Sequence, residues 1–506
     1  MGKKPRLVRH AAAIFERRAR HKECRFLRGK GGIGMIEAAI RLFKLRGWPF
    51  WFQNIALLLA GIPAAIWVGE YTSRNPGLLL QLAIVILLLI PAFILASTQS
   101  TYLIPYILLI WLVGAEIRRL ADWSLGQFSS INLLSVSPLI VSGMLVFALA
   151  KQRIVMEPKA IELLKAYFIP FAYAAVIGVL LNKAAGIYST ANYFIPVLVF
   201  IYLAVNPPTE EQKEKWIRIY VTMAVVLSIY GWYQYVTLPP WDRFWMTSVN
   251  MVSLGTPEEF GFRIFSTLNS TGPLAVFLVS ALIPAIVNKK WRGPFGLIGI
   301  PIMVSALALT LVRASWITLI AGVVAYFMFG SNANRWRMLA AVAILTVIGF
   351  IAFPLLPGGA EVTDRVSTLG SLESDQSANS RWGLLLYAIP EVLSHPFGTG
   401  FGSIGRSTAL NGGEAFAGLG SIDNGYLGVF AAFGIFGGIL YFRATWMQWS
   451  YTLNVDKRNP YRTLGIVNMV QLAVGFLFGG ALFSLNAIIF WLFSGLIFTK
   501  TQNKDK

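Results

Sequence analysis

The chain has 506 residues, of which 56% are hydrophobic and 13% are charged, and its formal net charge is +20. Soluble domains carry about 25% charged residues, so this composition excludes an ordinary soluble protein. The single cysteine, Cys24, excludes an intrachain disulfide and a zinc site built on cysteines. In a membrane protein, so positive a balance indicates topology rather than nucleic-acid binding.

The first 49 residues are strongly basic and precede any long apolar run. Ile33, Ile36, Ile40 and Phe43 fall on one face of a helical projection, which is typical of a helix lying on an anionic membrane surface. A solvated basic tail is the alternative. Because no small-residue cleavage site follows a short apolar core, we predict no cleaved signal peptide.

Apolar runs of spanning length follow along most of the chain, without the strand-length alternation of an outer-membrane barrel. They predict an all-α polytopic membrane protein with about 12 to 14 transmembrane helices. The shortest run is 100–115, and a single turn around Arg313 must separate two others. The runs are 50–69, 77–97, 100–115, 131–150, 166–182, 187–205, 216–236, 272–288, 294–312, 315–330, 338–356, 424–443, 463–480 and 482–499.

Lysine and arginine concentrate in alternate loops between these runs and at both ends of the chain. Such loops mark the cytoplasmic side, so we predict cytoplasmic termini and an outer side that includes loops 237–271 and 357–423. The predicted organisation is a basic tail with an interfacial helix (1–49), eleven transmembrane helices (50–356), a large outer loop (357–423), and C-terminal transmembrane helices with a short tail (424–506).

The basic residues on the predicted outer side are few, and the positive-inside rule disfavours them there. Arginine grips phosphates and carboxylates through paired hydrogen bonds, so anion binding would explain them; snorkelling or a salt bridge to a nearby acid is the alternative. A charge at the turn between two apolar helices is costly and usually functional, which favours an anion-binding role for Arg313. Four lie in short loops (Arg74, Arg118, Arg119, Lys183), and the others are Arg243, Arg263, Arg313, Arg365, Arg381 and Arg406.

Arg381 opens an apolar stretch that runs from Trp382 to Leu393. We predict a helix there, capped by Asn379 or Ser380 and ended by Pro396. A helix N-terminus beside an arginine suits an anion, although an ordinary capped surface helix has the same pattern.

The glycine-rich run 395–402 lets the backbone approach a neighbour closely. It is either a tight loop or a ligand cradle, and the sequence alone favours the loop. His395 precedes a proline in this turn, and we predict a structural rather than a catalytic role for it.

Asp423 and Asn424 stand at the start of the run 424–443. A carboxylate near several arginines is able to act as a general base on a hydroxyl, whereas Asp and Asn are equally common as helix N-caps. Spacing alone does not separate these roles.

Several sequence signals are missing. The sequence has no nucleotide fingerprint, no nucleophile elbow and no His/Cys metal cluster, so we predict no cofactor. The predicted spans contain no interior Asp or Glu, which argues against a proton-coupled transporter.

Four short sequence motifs occur one after another between residues 260 and 440. They are Arg263 to Asn269 with Gly272-Pro273, Leu309 to Trp316, Arg381 to Gly400, and Asp423 to Leu427 with Phe433 to Gly438. Together they resemble the O-antigen ligase and Wzy-type polymerase superfamily of bacterial envelope polysaccharide enzymes. The N-terminal half of the chain is supported by hydropathy only.

The resemblance implies a GT-C-type membrane fold in the bacterial inner membrane, with a large periplasmic loop and a metal-independent glycosyltransferase activity. The donor would be an oligosaccharide on undecaprenyl pyrophosphate. In ligases of the family, arginines at the positions of Arg313 and Arg381 hold the pyrophosphate and a histidine activates the acceptor hydroxyl. Here Asp423 replaces that histidine. The departure favours an exopolysaccharide or O-antigen polymerase, or a ligase with another acceptor, over a lipid A-core ligase.

We therefore predict catalytic roles for Asp423, Arg313 and Arg381. Substrate contacts are predicted for Arg263, Asn269, Gly398, Gly400, Arg406 and Asn424. The expected partners are the lipid-linked donor, a glycan acceptor, membrane lipids, and a chain-length regulator and flippase, without nucleic acid. The alternatives are a ligase that moves glycan to lipid or protein, a metal-dependent enzyme using Glu70, and a non-enzymatic lipid-linked oligosaccharide flippase.

Overall fold

The computed structural model describes residues 76–498 apart from 130, 250, 331–334, 337–338, 341–342, 344–375, 413–415, 417–421, 423 and 480–481. The chain divides into two compact units, 1–76 and 77–506, and the helices below belong to the second. The predicted interfacial helix, the run 50–69, most of the run 338–356, Glu70 and Asp423 lie outside the described residues.

The described residues form helices joined by short turns, with no extended β-strand and one isolated bridge between Gly255 and Phe262. The helices are α1 (Pro76–Ser97), α2 (Leu103–Leu125), α3 (Ser137–Gly143), α4 (Leu145–Ala150), α5 (Pro158–Val205), α6 (Glu210–Thr237), α7 (Pro240–Val249), α8 (Thr271–Val287), α9 (Gly299–Leu309), α10 (Arg313–Phe329), α11 (Gln376–Ser394), α12 (Gly425–Asn454), α13 (Pro460–Phe476) and α14 (Ser484–Gly495).

Five stretches of the described chain are long and apolar enough to cross a membrane: 77–97, 133–150, 158–205, 210–237 and 425–454. Large apolar side chains remain exposed along α1, where Leu87 is 66% exposed, as a helix surface facing lipid requires. The all-α polytopic membrane fold predicted from the sequence is confirmed.

Helix α5 is a helical hairpin. Lys183 has a φ of 44°, and the rings of Phe168 and Phe194 lie 5.9 Å apart. In a straight helix, residues this far apart along the chain would be separated by about 39 Å. The two arms therefore run antiparallel, and they match the two separate runs 166–182 and 187–205 of the sequence.

Helix α12 also reverses, which corrects the predicted single span 424–443. Gly434 has a φ of 68°, and the rings of Tyr426 and Phe442 lie 5.6 Å apart, although a straight helix would separate these residues by about 24 Å. The ring of Phe430 reaches within 2.6 Å of the Cβ position at Gly438. A short arm, 425–433, thus folds back along the long arm, 435–454.

Both reversals contact residues 396–402, which we call the clasp. The backbone N–H groups of Gly400 and Phe401 donate to the carbonyls of Ala432 and Ala174, each at 2.9 Å. The clasp therefore joins the tip of the α5 hairpin to the tip of the α12 hairpin. It satisfies the carbonyls of Ala431 and Ala432, which the break at Gly434 would otherwise leave unpaired.

Helix α2 extends well beyond the predicted run 100–115 and ends at Leu125. The prediction that Arg118 and Arg119 lie in a short loop was wrong, because both belong to this helix. Glu116 and Asp122 are buried in it as well, beyond the end of the predicted run. Acid–base pairs at helical spacing, Glu116 with Arg119 and Arg118 with Asp122, carry the helix through its charged segment.

Candidate functional site

Arg313 is the first residue of α10 and follows a tight turn, at the position where the sequence required a break. Leu311 in that turn has a left-handed φ of 53°. The residue before the helix, Val312, offers no side-chain cap. A cation at a helix N-terminus opposes the helix dipole, whereas an anion bound there meets both the free N–H groups and the guanidinium. The position therefore suits an anionic ligand.

Arg263 reaches the same turn from the segment before α8. Its guanidinium donates to the carbonyls of Thr310 at 3.0 Å, Leu311 at 2.9 Å and Ser253 at 3.2 Å. This fork holds the backbone of the turn that precedes Arg313. Asn269 lies half-buried at the other end of this segment, two residues before α8 begins.

Arg381 lies inside α11 rather than at its N-terminus, because the helix begins at Gln376. The prediction of a cap at Asn379 or Ser380 was therefore wrong, and Arg381 stands more than one helical turn after the first residue of α11. The helix ends at Ser394, close to the predicted Pro396. The side chains of Arg381 and Arg406 lie outside the described residues; the backbone of Arg406 begins a 3-10 helix that ends at Asn411.

His395 makes local contacts just after α11. Its Nδ1 lies 2.8 Å from the Ser394 hydroxyl and 3.0 Å from the Glu391 carbonyl, and its ring meets that of Phe416 edge-on at 5.1 Å. These contacts stabilise the end of the helix, in keeping with the structural role predicted for His395.

Gly398 and Gly400, predicted as substrate contacts, pack closely against helix backbone. Both have left-handed φ angles, 74° and 75°. A Cβ at Gly398 would lie 2.7 Å from the Ala432 carbonyl oxygen, and one at Gly400 would lie 2.5 Å from the Gly178 Cα. Packing between the two hairpin tips accounts for both glycines, as the tight-loop alternative expected.

The cap of α12 is Asn424, whose Oδ1 accepts a hydrogen bond from the Leu427 N–H at 3.1 Å. Asp423 itself lies outside the described residues. Asn424 thus fills the capping role that the sequence allowed for either residue.

A small apolar cluster connects the Asp423 position with the helix that bears Arg381. Ala388 and Val392 of α11 belong to it together with Ala431, and Ile422 and Leu427 pack against it. Ile422 is the immediate neighbour of Asp423, and Arg381 lies two helical turns before Ala388. The fold thus brings α11 against the segment that begins α12.

Arg313 and Asn424 reach the same end of α13. Helices α10 and α13 run antiparallel, since Thr463 contacts the Phe329 carbonyl while Gln471 packs against Gly322. Arg313 is about 13 Å further along α10 than Gly322, just beyond the end of α13 at Phe476. The Tyr426 hydroxyl donates to the Ala473 carbonyl at that end, at 2.8 Å.

A buried charged network was missed by the sequence analysis. Arg119 is fully buried and forms ion pairs with Glu116 and, at 2.8 Å, with Asp242 of α7. The Tyr230 hydroxyl lies 2.5 Å from Glu116 Oε1 and 3.1 Å from Asp242 Oδ2. Burial raises the pKa of the Asp242 carboxyl, the Arg119 guanidinium opposes that shift, and the Glu116 carboxylate adds to it. The helical spacing of Glu116 and Arg119 was the available signal.

No group of three or more His, Cys, Asp or Glu suited to a metal ion occurs among the described residues. Residues 298–442 match a family model, Wzy_C, described as O-Antigen ligase. The matched segment begins just before α9 and ends within α12, and it contains Arg313, Arg381, the clasp and Asp423. The predicted resemblance to this superfamily is thus confirmed for residues 298–442, a region that supports a membrane glycan-processing enzyme. No curated protein and no solved structure matched the chain.

Proposed function

Since residues 298–442 match the O-antigen ligase family within a multi-pass membrane protein, we propose that the chain is a polysaccharide polymerase acting on lipid-linked oligosaccharides. The donor is an oligosaccharide on undecaprenyl pyrophosphate and the acceptor is a second glycan. The reaction takes place on the periplasmic face of the bacterial inner membrane, with both termini of the chain in the cytoplasm.

The observation that carries this proposal is the position of Arg313. It begins α10 without a side-chain cap, at the end of α13 where the Asn424 end of α12 also lies. A pyrophosphate placed there meets helix N–H groups and a guanidinium at once. An attacking hydroxyl beside the Asp423 position would then be close to the leaving group.

The proposed chemistry needs one base and one anion clamp. Asp423 accepts the proton of the acceptor hydroxyl, whose oxygen bonds to the anomeric carbon of the donor sugar. The bond from that carbon to the pyrophosphate oxygen breaks, and the lipid pyrophosphate leaves with the electron pair. Arg313 and Arg381 stabilise its growing charge without a metal ion. Asn269, Arg406 and Asn424 contact the sugars.

A ligase is the second candidate, because the matching family model is itself described as O-Antigen ligase. The same clamp and base would serve it, with a lipid or protein acceptor in place of a glycan. Mass analysis of the product separates the two: a polymerase lengthens the lipid-linked glycan, whereas a ligase transfers the glycan to a different molecule. Asp423→His tests whether the family's histidine restores ligase behaviour here.

The test of the clamp is a pair of substitutions, Arg313→Ala and Arg381→Ala, assayed for polymer in a host that depends on this chain. Removing one stabilising group from a transition state costs on the order of 100-fold or more, so we expect each to abolish polymer at normal protein level. Arg243→Ala is the matched control, since Arg243 lies exposed on α7, outside the site. Wild-type polymer from both clamp variants would overturn the proposal.

The same host separates an enzyme from a flippase. Loss of polymerase activity leaves single repeat units on lipid at the periplasmic face. Loss of a flippase leaves none there.

A further inference from the structure

The segment 263–268, which we call the strap, lies between the buried charged network and the turn before Arg313. It leads from the bridge at Phe262 to the region just before α8. Ser266 in its middle has a left-handed φ of 53°, a conformation that a serine adopts only where its surroundings hold it.

On one side, Arg119 grips the strap by its carbonyl groups. Nη1 donates to the Leu268 carbonyl and Nη2 to the Ser266 carbonyl, each at 2.6 Å. The guanidinium also lies over the ring of Phe265, 4.9 Å from its centroid. These contacts are made in full burial, where charge-assisted hydrogen bonds are strong.

Gln234 of α6 binds the backbone N–H groups of the strap. Its Oε1 accepts from Ser266 N at 2.9 Å and from Phe265 N at 3.2 Å. Its Nε2 donates to Asp242 Oδ2 at 2.8 Å, which joins it to the carboxylate that also pairs with Arg119. The strap conformation therefore depends on one connected network, whose members lie on α2, α6 and α7.

On the other side, the strap holds the turn from which α10 begins. Ile264 N donates to the Leu309 carbonyl at 3.3 Å. The Arg263 fork then takes the next two carbonyls, those of Thr310 and Leu311. Three successive carbonyls at the end of α9 are thus bound by two successive residues of the strap.

We propose that Arg119 is a positioning residue for Arg313, acting through the strap on the turn that places the Arg313 guanidinium. This inference rests on the proposed function, because it assigns Arg119 to the pyrophosphate clamp of the same enzyme. Arg119 touches no substrate. Its guanidinium fixes the conformation of the strap, and the strap in turn holds the left-handed turn at Leu311. That turn determines the residue at which α10 begins.

A purely structural ion pair would not need the contacts that Arg119 makes with the strap. Lys213 is also fully buried, and it pairs with the exposed Glu210 at the opposite end of α6. Arg119 instead forms ion pairs with two carboxylates and donates hydrogen bonds to two strap carbonyls. A lysine in its place keeps the charge but loses the planar fork that reaches all four.

The experiment is a double-mutant cycle between Arg119→Lys and Arg313→Ala. Binding of inorganic pyrophosphate to the purified full-length protein in detergent is measured, with the apparent Tm of each variant recorded. We expect Arg313→Ala to weaken binding by about 10- to 100-fold, the loss of one charged hydrogen-bonding partner. Arg119→Lys should weaken it by about 10-fold, because small misplacements of a binding group are costly. The double variant should bind no worse than Arg313→Ala alone, since Arg119 acts only through Arg313.

Two further variants serve as a control and as a second test. Lys213→Met removes the buried charge at the other end of α6; it should lower the apparent Tm and leave pyrophosphate binding unchanged. Asp242→Asn keeps the shape of the carboxylate and leaves Glu116 as a partner for Arg119. It replaces Arg119→Lys in the cycle if that variant fails to fold. Its effect on pyrophosphate binding should be smaller and should again be absent when Arg313 is alanine.

The inference is overturned if Arg119→Lys leaves binding unchanged, or if its effect is the same with and without Arg313. The proposed function fails separately. If Arg313→Ala neither weakens pyrophosphate binding nor reduces polymer, there is no clamp at Arg313 to be positioned. A weakened clamp that is indifferent to Arg119 would leave the proposed function standing and remove this inference alone.

Discussion

The strap and the clasp are both non-helical segments that fix the ends of helices, but different means hold them. Buried charged and amide side chains grip the strap through Arg119 and Gln234. The clasp lies directly on helix backbone, and its glycines leave no room for side chains. A segment held by side chains should lose its position when one of those side chains is replaced. A segment held by bare backbone loses it when an atom is added.

The clasp also has an aromatic anchor. The Phe401 ring stacks on that of Tyr193 at 4.2 Å, and Asn182 donates to the Thr399 carbonyl at 2.9 Å and the Phe401 carbonyl at 2.8 Å. These contacts hold it to the tip of the α5 hairpin. The clasp is therefore an element of stability, and the strap is the element we connect with the clamp.

The largest effect on stability is expected from adding one carbon to the clasp. Gly400→Ala combines an unfavourable left-handed φ with overlap against Gly178, and we expect a loss of about 2 to 4 kcal/mol. Gly405→Ala is the matched control, since its φ is 82° and no atom lies within 4 Å of its Cβ position; it should cost about 1 kcal/mol. The apparent Tm in detergent measures both, and equal shifts would contradict the packing explanation.

A middle effect is expected from Asn182→Ala. It removes two donors and leaves the Thr399 and Phe401 carbonyls of the clasp unpaired, at a cost of about 2 kcal/mol. Asn192→Ala serves as the comparison, because Asn192 is buried in the same hairpin and donates to Tyr188 within its own arm. The thermal shift of Asn182→Ala should exceed that of Asn192→Ala, and the reverse order would show that Asn182 does not hold the clasp.

The smallest effect on stability, and the most selective one, is expected at the strap. Arg263→Lys keeps the charge and loses the fork on Thr310 and Leu311, which should cost about 1 kcal/mol in folding. Polymer formation should nevertheless fall clearly, because the turn before Arg313 loosens. Arg243→Lys on the exposed face of α7 should change neither quantity. Full polymer synthesis by Arg263→Lys would mean that the turn needs no such support.

Apolar length predicted most of the membrane helices, because a bilayer core demands about 20 apolar residues whatever their order. The run 77–97 became Pro76–Ser97, and the run 216–236 lies within Glu210–Thr237. Length carries no information about direction, however. The run 424–443 contains a full reversal, and nothing in its composition distinguishes Gly434 from the other glycines nearby.

Charges were harder to place than apolar residues. The run 100–115 was ended at the first charged residue, yet Arg119 and Glu116 are buried because they neutralise each other inside the protein. A break at Arg313 was predictable, since a charge between two apolar helices requires one. The partners of Arg263 were not, because backbone carbonyls leave no trace in a sequence.

Because α12 reverses at Gly434, the length of its short arm fixes how far Asn424 lies from the reversal. Asn424 stands ten residues from Gly434, about 15 Å along the arm, and the rings of Tyr426 and Phe430 both contact that of Phe442 on the long arm. Deleting one helical turn from the short arm would move Asn424, with the aspartate beside it, about 5 Å nearer to the clasp. The number of residues in the short arm thus sets the distance between Asn424 and the clasp.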